Sequence, residues 1–186
     1  MFNKYTKGQY EYAAYNKVKV GIFTICLYIL SASIYAIGYF TTGSNKNLLT
    51  IVAVLGILPA SKMLISFIMN SRVKPIDASL RAEFDKNSEG LNNLYHMYFT
   101  SYDTNFRVDH MVITKDTVVG YSSDLKFDEK KFLEHMDKHM KIEGIQDIVI
   151  KIFTSKDNYI NRLGQLKDLD DKTNEKMYQL IMSITL

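Results

Sequence analysis

Two uninterrupted apolar stretches set the pattern of this chain: Val20 to Phe40, with no charged residue, and Leu48 to Met69, with only Lys62. They hold 21 and 22 residues. As helices rising about 1.5 Å per residue, each is long enough to cross a hydrocarbon core of roughly 30 Å. The segment between them, Thr41 to Asn47 (TTGSNKN), is polar and has only seven residues. The expectation is a transmembrane hairpin. Ala32 and Ala36 on the first span, and Gly56 and Ala60 on the second, are each four apart, which brings small residues onto one helix face. These faces are expected to pack against each other or against a second copy of the chain. Pro59 removes one backbone hydrogen bond and predicts a bend in the second span. Lys62 lies about 12 Å of helix from the nearer end of its span, within reach for a long side chain to snorkel to the headgroups.

From Pro75 onward the pattern is that of a folded domain covering 75–186. A helix capped by Asp77 and carrying Leu80 and Phe84 should end near Gly90. Three extended segments follow: 94–102 (LYHMYFTSY), 106–114 (FRVDHMVIT) and 117–121 (TVVGY), rich in β-branched and aromatic residues. Lys115-Asp116 suits a two-residue hairpin turn between the last two. Asp128 to Glu143 reads as a helix with Phe132, Met136 and Met140 on one stripe and Gly144 as its stop. The run 147–154 (DIVIKIFT) reads as a central strand. Two amphipathic helices, 156–169 and 172–184, close the chain. The fold expected is a two-helix transmembrane hairpin (helices 20–40 and 48–69) plus a small α/β (α+β) cytoplasmic domain, ordered α-β-β-β-α-β-α-α.

Charge sharpens this division. Residues 1–74 hold eight Lys or Arg against the single acid Glu11, whereas residues 75–186 hold fifteen against nineteen acids. An acidic domain argues against binding a nucleic-acid backbone, which needs clustered positive charge. In the arm, residues 1–19, Lys4, Lys7, Lys17 and Lys19 are interleaved with Tyr5, Tyr10, Tyr12 and Tyr15, a composition suited to the lipid interface. Basic residues precede the first span and follow the second as Arg72, Lys74 and Arg81, while the turn has only Lys46. By the positive-inside rule both termini are expected in the cytoplasm. The first apolar stretch is too long for a typical cleaved signal, and a second span follows it at once. Cys26 is the only cysteine, so no internal disulfide forms.

For chemistry, the residues offer two sets. His135 and His139, four apart on one helix, share a face with Glu143, a spacing that can hold zinc. The acid that a zinc hydrolase places between its histidines is missing. The second set is Asp109 with Glu83, Asp124 and Lys126. Helix, three strands, helix, strand is the order of the restriction-endonuclease-like core, and FRVDHMVITKDTVVGYSSDLK resembles the nuclease-related domain of some bacterial membrane proteins. That resemblance implies a divalent-metal site with Asp109 as first acid and Glu83 as an auxiliary one. Tyr121 and Ser123 stand where a second acid and a lysine belong; Asp124 and Lys126 follow three residues later. The set is that of a degenerate site. Over nearly its whole length the chain also resembles a group of uncharacterised two-span membrane proteins of Gram-positive anaerobes, through TTGSNKNLLT, LPASK, FTSYD, KIFT and NRLGQL. Members are often labelled O-linked N-acetylglucosamine transferase-like. The chain has neither the repeats nor the paired nucleotide-sugar domains of such an enzyme. The expectation is a non-enzymatic, membrane-tethered interaction or regulatory module without a cofactor. Its expected partners are the bilayer, an unidentified protein and, through the small-residue faces, a second copy.

Overall fold

A computed structural model describes residues 5–72, 75–102, 104–167 and 172–185. Lys4 and Lys74 of the orientation argument, and Leu169 at the end of the fifth predicted helix, lie outside the described residues. Two helices come first, α1 (Tyr12–Thr42) and α2 (Leu48–Arg72). Both are long and apolar enough to cross a membrane, and only 11% of each apolar window is buried. A core helix of a globular domain would bury most of that surface. Helix α1 starts eight residues before the apolar stretch because nothing between Tyr12 and Val20 breaks a helix. Helix α2 continues through Pro59.

Between the two apolar helices, Gly56 and Ala60 of α2 lie at the close contact, as expected, but the α1 side of it differs. On α2, Ala53 and Ala60 are buried, but the buried residues of α1 are Thr24, Ser31 and Gly38, at intervals of seven. A β-carbon on Gly56 would lie 2.6 Å from the Ser31 hydroxyl oxygen. Ser31 therefore fills the space that a small residue on α2 leaves open, and Ala32 is exposed beside it. Near the far ends of the pair, Asn16 donates to Asn70 at 3.2 Å. The turn is held by Gly43 at φ 65° and by Asn47, whose carbonyl caps the Thr50 amide at 2.8 Å.

The second compact unit joins residues 5–12 to everything from residue 75 onward. Its elements are α3 (Ala78–Asn87), β1 (Asn92–Thr100), β2 (Asn105–Ile113), β3 (Thr117–Tyr121), α4 (Glu129–Ile142), β4 (Val149–Phe153), α5 (Lys156–Lys167) and α6 (Glu175–Ile184). The sheet runs β1-β2-β3-β4, antiparallel at the first two pairings and parallel at the third. Helix α4 supplies the crossover that a parallel pair requires. One sheet face packs on Phe132, Met136 and Met140 of α4 and on Met177, Leu180 and Ile181 of α6. The other packs on Phe84 of α3 and on Tyr159, Leu163 and Leu166 of α5. These stripes recur every three or four residues, which is what makes each helix one-sided.

Two local expectations change. Asp77 occupies the N-cap position of α3 but its side chain makes no capping bond there; Asp128 does cap α4, accepting from the Lys131 amide at 3.1 Å. Strand β4 is not central: it pairs with β3 alone, and Val149 is 64% exposed. Only Ile152 of this strand is buried, and Lys151 in its middle is exposed and pairs with Glu129 at 2.9 Å, as suits an edge position. The arm, from residue 5 to residue 12, packs with this unit. The Tyr95 amide donates to the Gly8 carbonyl at 2.7 Å, and Thr185 bridges to Phe99, so two chain ends cover the outer edge of β1. Lys7 ties those ends together, donating to the Thr185 carbonyl at 2.7 Å. Gly8 has φ 87°, and a β-carbon there would meet Leu94 at 2.6 Å, so only glycine fits this approach.

Candidate functional site

Strands β1 and β2 share a break that places Asp109. Tyr95 pairs with His110 and Met97 with Val108, leaving His96 opposite Asp109 without a ladder pair. Leu94 and Met97 belong to one core face although three residues apart, and Val108 and Met111 do the same on β2. Strict alternation would put each pair on opposite faces. Each strand thus carries one extra residue at the same level, so register is kept while both side-chain patterns shift. His96 makes the shift at φ 55°, a left-handed conformation uncommon for a residue with a side chain.

Asp109 is fully buried and both of its oxygens are engaged. Arg107 binds Oδ1 from two nitrogens, Nε at 2.7 Å and a terminal nitrogen at 2.6 Å. The Ser123 amide donates to Oδ2 at 2.7 Å. Ser122 anchors the same loop by donating to the Arg107 carbonyl at 2.6 Å. A carboxylate held by a guanidinium and a backbone amide is a structural tie between β2 and the loop after β3. The other candidates point elsewhere. Glu83 pairs with Lys156 at 2.6 Å, and that bond holds the Lys156 ammonium above its ordinary pKa. Asp124 accepts from the Lys126 amide within its own loop, and both residues are exposed. Among the described residues no group of three or more His, Cys, Asp or Glu side chains is placed to hold a metal ion.

Beside this tie lies an aromatic cluster that includes two histidines. His110 is fully buried, stacks on Phe84 with ring centroids 5.1 Å apart, and shares a 2.7 Å hydrogen bond between Nδ1 and the Tyr159 hydroxyl. Burial, with a smaller contribution from His96, lowers its pKa to about 3. Burial also raises the Tyr159 phenol well above its ordinary value. His96 is buried against Tyr10, with ring centroids 5.0 Å apart, and neither of its ring nitrogens has a hydrogen-bond partner among the described residues. Desolvation lowers its pKa, and the charge of Asp109 opposes that shift. No family model, curated protein or solved structure matches the chain.

Arg81 organises the arm's attachment. Its guanidinium lies 4.2 Å above the Tyr10 ring and binds Glu11 at 3.0 Å and Asp85 at 3.4 Å. Tyr95 donates its hydroxyl to Asp85, and burial followed by that carboxylate raises the Tyr95 pKa. Tyr10 itself donates to the Ile76 carbonyl at 2.8 Å. Arg81 entered the sequence reading only as a charge; nothing in its neighbourhood marks a partner seventy residues away.

His135 and His139 do meet, with ring centroids 4.7 Å apart. They line a cavity of about 450 Å³ with Thr100, Ser101, Thr104, Phe106, Lys131 and Lys138. Glu134 also lines it, whereas Glu143 does not. Lys62 is exposed on the surface of α2.

Proposed function

We propose that this protein is a membrane-anchored, non-enzymatic interaction module, with the α1–α2 hairpin in the bilayer and both termini in the cytoplasm. The observation that carries the non-enzymatic reading is the condition of Asp109. Its carboxylate has no free oxygen: Arg107 takes one and the Ser123 amide the other. A catalytic divalent metal would have to displace a buried ion pair and find further carboxylates. Glu83 is paired to Lys156, and Asp124 faces its own loop. The enzyme alternative, metal-dependent phosphodiester cleavage at Asp109, keeps the element order in its favour and nothing at the site.

The topology rests on the Lys and Arg distribution, and the low burial of both spans supports a lipid environment for them. In this setting Lys62 snorkels, and the exposed Ala32 face and a second copy of it form the route to a homo-oligomer. A decisive experiment titrates Mn²⁺ and Mg²⁺ into the full chain in mild detergent, beside Asp109→Asn. The expected result is no binding that depends on Asp109. Binding in the parent that vanishes in the variant would overturn the reading. In the same preparation, in-cell crosslinking should trap a partner through the α/β domain.

A further inference from the structure

We propose that the cavity between the tip of the β1–β2 hairpin and helix α4 binds a phosphate monoester group. It lies apart from Asp109 and does not depend on how that site is read. Helix α4 has one side made by the Phe132, Met136 and Met140 stripe, which is committed to the core. Its neighbouring face presents Lys131, His135, Lys138 and His139 to a space of about 450 Å³. Across that space the strand ends contribute the hydroxyls of Thr100, Ser101 and Thr104, with Phe106 also in the wall. A volume of this size admits a phosphate and part of the molecule that carries it.

Donors dominate the described lining. Two lysines, two histidines and four hydroxyl-bearing residues, Tyr102 among them, line it together with one described acid, Glu134. Asp128 lies 3.6 Å from the Lys131 ammonium, so that lysine is shared, while Lys138 adds its charge beside His135. The Nε2 atom of His135 is buried and without a hydrogen-bond partner, although its residue lines a polar cavity. A buried ring nitrogen left in this way is destabilising, because its lost hydration is not replaced. Desolvation first, and then His139 and Lys138, lower the pKa of His135. An anion is the ligand that relieves the crowding of positive groups, because the two ammonium groups and the His139 ring can then donate to phosphate oxygens. A transition-metal cation would instead be repelled by the two lysines, and no third described ligand stands ready for it. The phosphate belongs either to a soluble metabolite or to a lipid headgroup.

Calorimetric titration of the full chain in mild detergent tests this, first with inorganic phosphate and phenyl phosphate, then with a short-chain phosphatidylinositol phosphate. Saturable binding at millimolar Kd or tighter, weakened about tenfold or more in Lys138→Ala and in His139→Ala but unchanged in Lys141→Ala, is the expected result. Near-UV circular dichroism checks that the variants fold, and Lys138→Gln serves if Lys138→Ala does not. A lipid bound more tightly than phenyl phosphate assigns the headgroup as the source; equal affinities assign a soluble ester. No saturable binding of any of the three probes overturns the proposal. So does binding that is unaffected by these variants, or binding of Zn²⁺ through the histidines with no binding of phosphate.

Discussion

Acidification should unfold the α/β domain, and His110 supplies a calculable part of the effect. Its imidazole is fully buried among Phe84, Tyr95 and Tyr159, and burial lowers its pKa from 6.5 to about 3. In the unfolded chain the same group protonates near its ordinary value. Between those two pH values the unfolded state holds a proton that the folded state does not, so stability falls as pH falls through this window. The loss begins near pH 6.5, and it levels off below about pH 3. Each pH unit inside the window costs about 1.4 kcal/mol, so going from about pH 7.5 to about pH 5 costs roughly 2 kcal/mol from His110 alone. A domain of this size has on the order of 5–15 kcal/mol to lose. His96 and His135, whose pKa values are also lowered, act in the same direction. The assay is urea unfolding of the full chain in mild detergent, followed by near-UV circular dichroism of the tyrosine cluster at several pH values. His110→Gln shifts the baseline stability but should reduce the loss between those two pH values by about 2 kcal/mol relative to the parent. An identical pH dependence in the two proteins would refute the reasoning. Proton NMR titration of His110 in the parent serves as the second measurement: a midpoint near 6.5 in the folded protein would refute it equally.

Removing Arg107 leaves the buried Asp109 without its cation, so Arg107→Met should destabilise the domain by about 3 kcal/mol or more, whereas adding Asp109→Leu recovers much of that loss; urea unfolding of the parent, Arg107→Met, Asp109→Leu and the double variant closes the cycle. Arg81→Ala removes the Tyr10 and Glu11 contacts together and should raise amide exchange across residues 5–12 about tenfold, with β2 unchanged, as read by hydrogen-exchange mass spectrometry. Gly120→Ala puts a β-carbon 2.8 Å from Ile152 and 2.9 Å from Val108, and should cost about 1–3 kcal/mol in the same unfolding assay. In the hairpin, Gly56→Leu collides with Ser31 and should separate α1 from α2, read as lost crosslinking between cysteines placed at positions 16 and 70, whereas Ala32→Leu should leave that crosslink intact.

The periodic parts of this chain were legible because burial repeats at the spacing of the element that buries it. The apolar stretches of α1 and α2, the Phe132-Met136-Met140 stripe and the Lys115-Asp116 turn need nothing beyond local pattern, since each rests on neighbours a few residues away. Even there the sequence marks which residues are small without saying which helix face meets the other; Ser31 against Gly56 is a matter of how two cylinders come together. The arm's partners were hidden for a similar reason. Alternating Tyr and Lys suit a lipid interface, and only the tertiary structure shows that Tyr10, Gly8 and Lys7 also meet Arg81, the β1 edge and the C-terminal end of α6. The paired break at His96 and Asp109 has no sequence signal at all. An extra residue in one strand is tolerated there because the neighbouring strand carries one at the same level, and this match exists only once β1 and β2 are side by side. By itself the chain therefore determined its elements, its two apolar spans and the supply of ionisable groups. The tertiary structure decided which of those groups were consumed as structure, as Asp109 is by Arg107, and which were left lining an open cavity, as His139 and Lys138 are, because a charge takes its role from partners that the chain brings to it from far away.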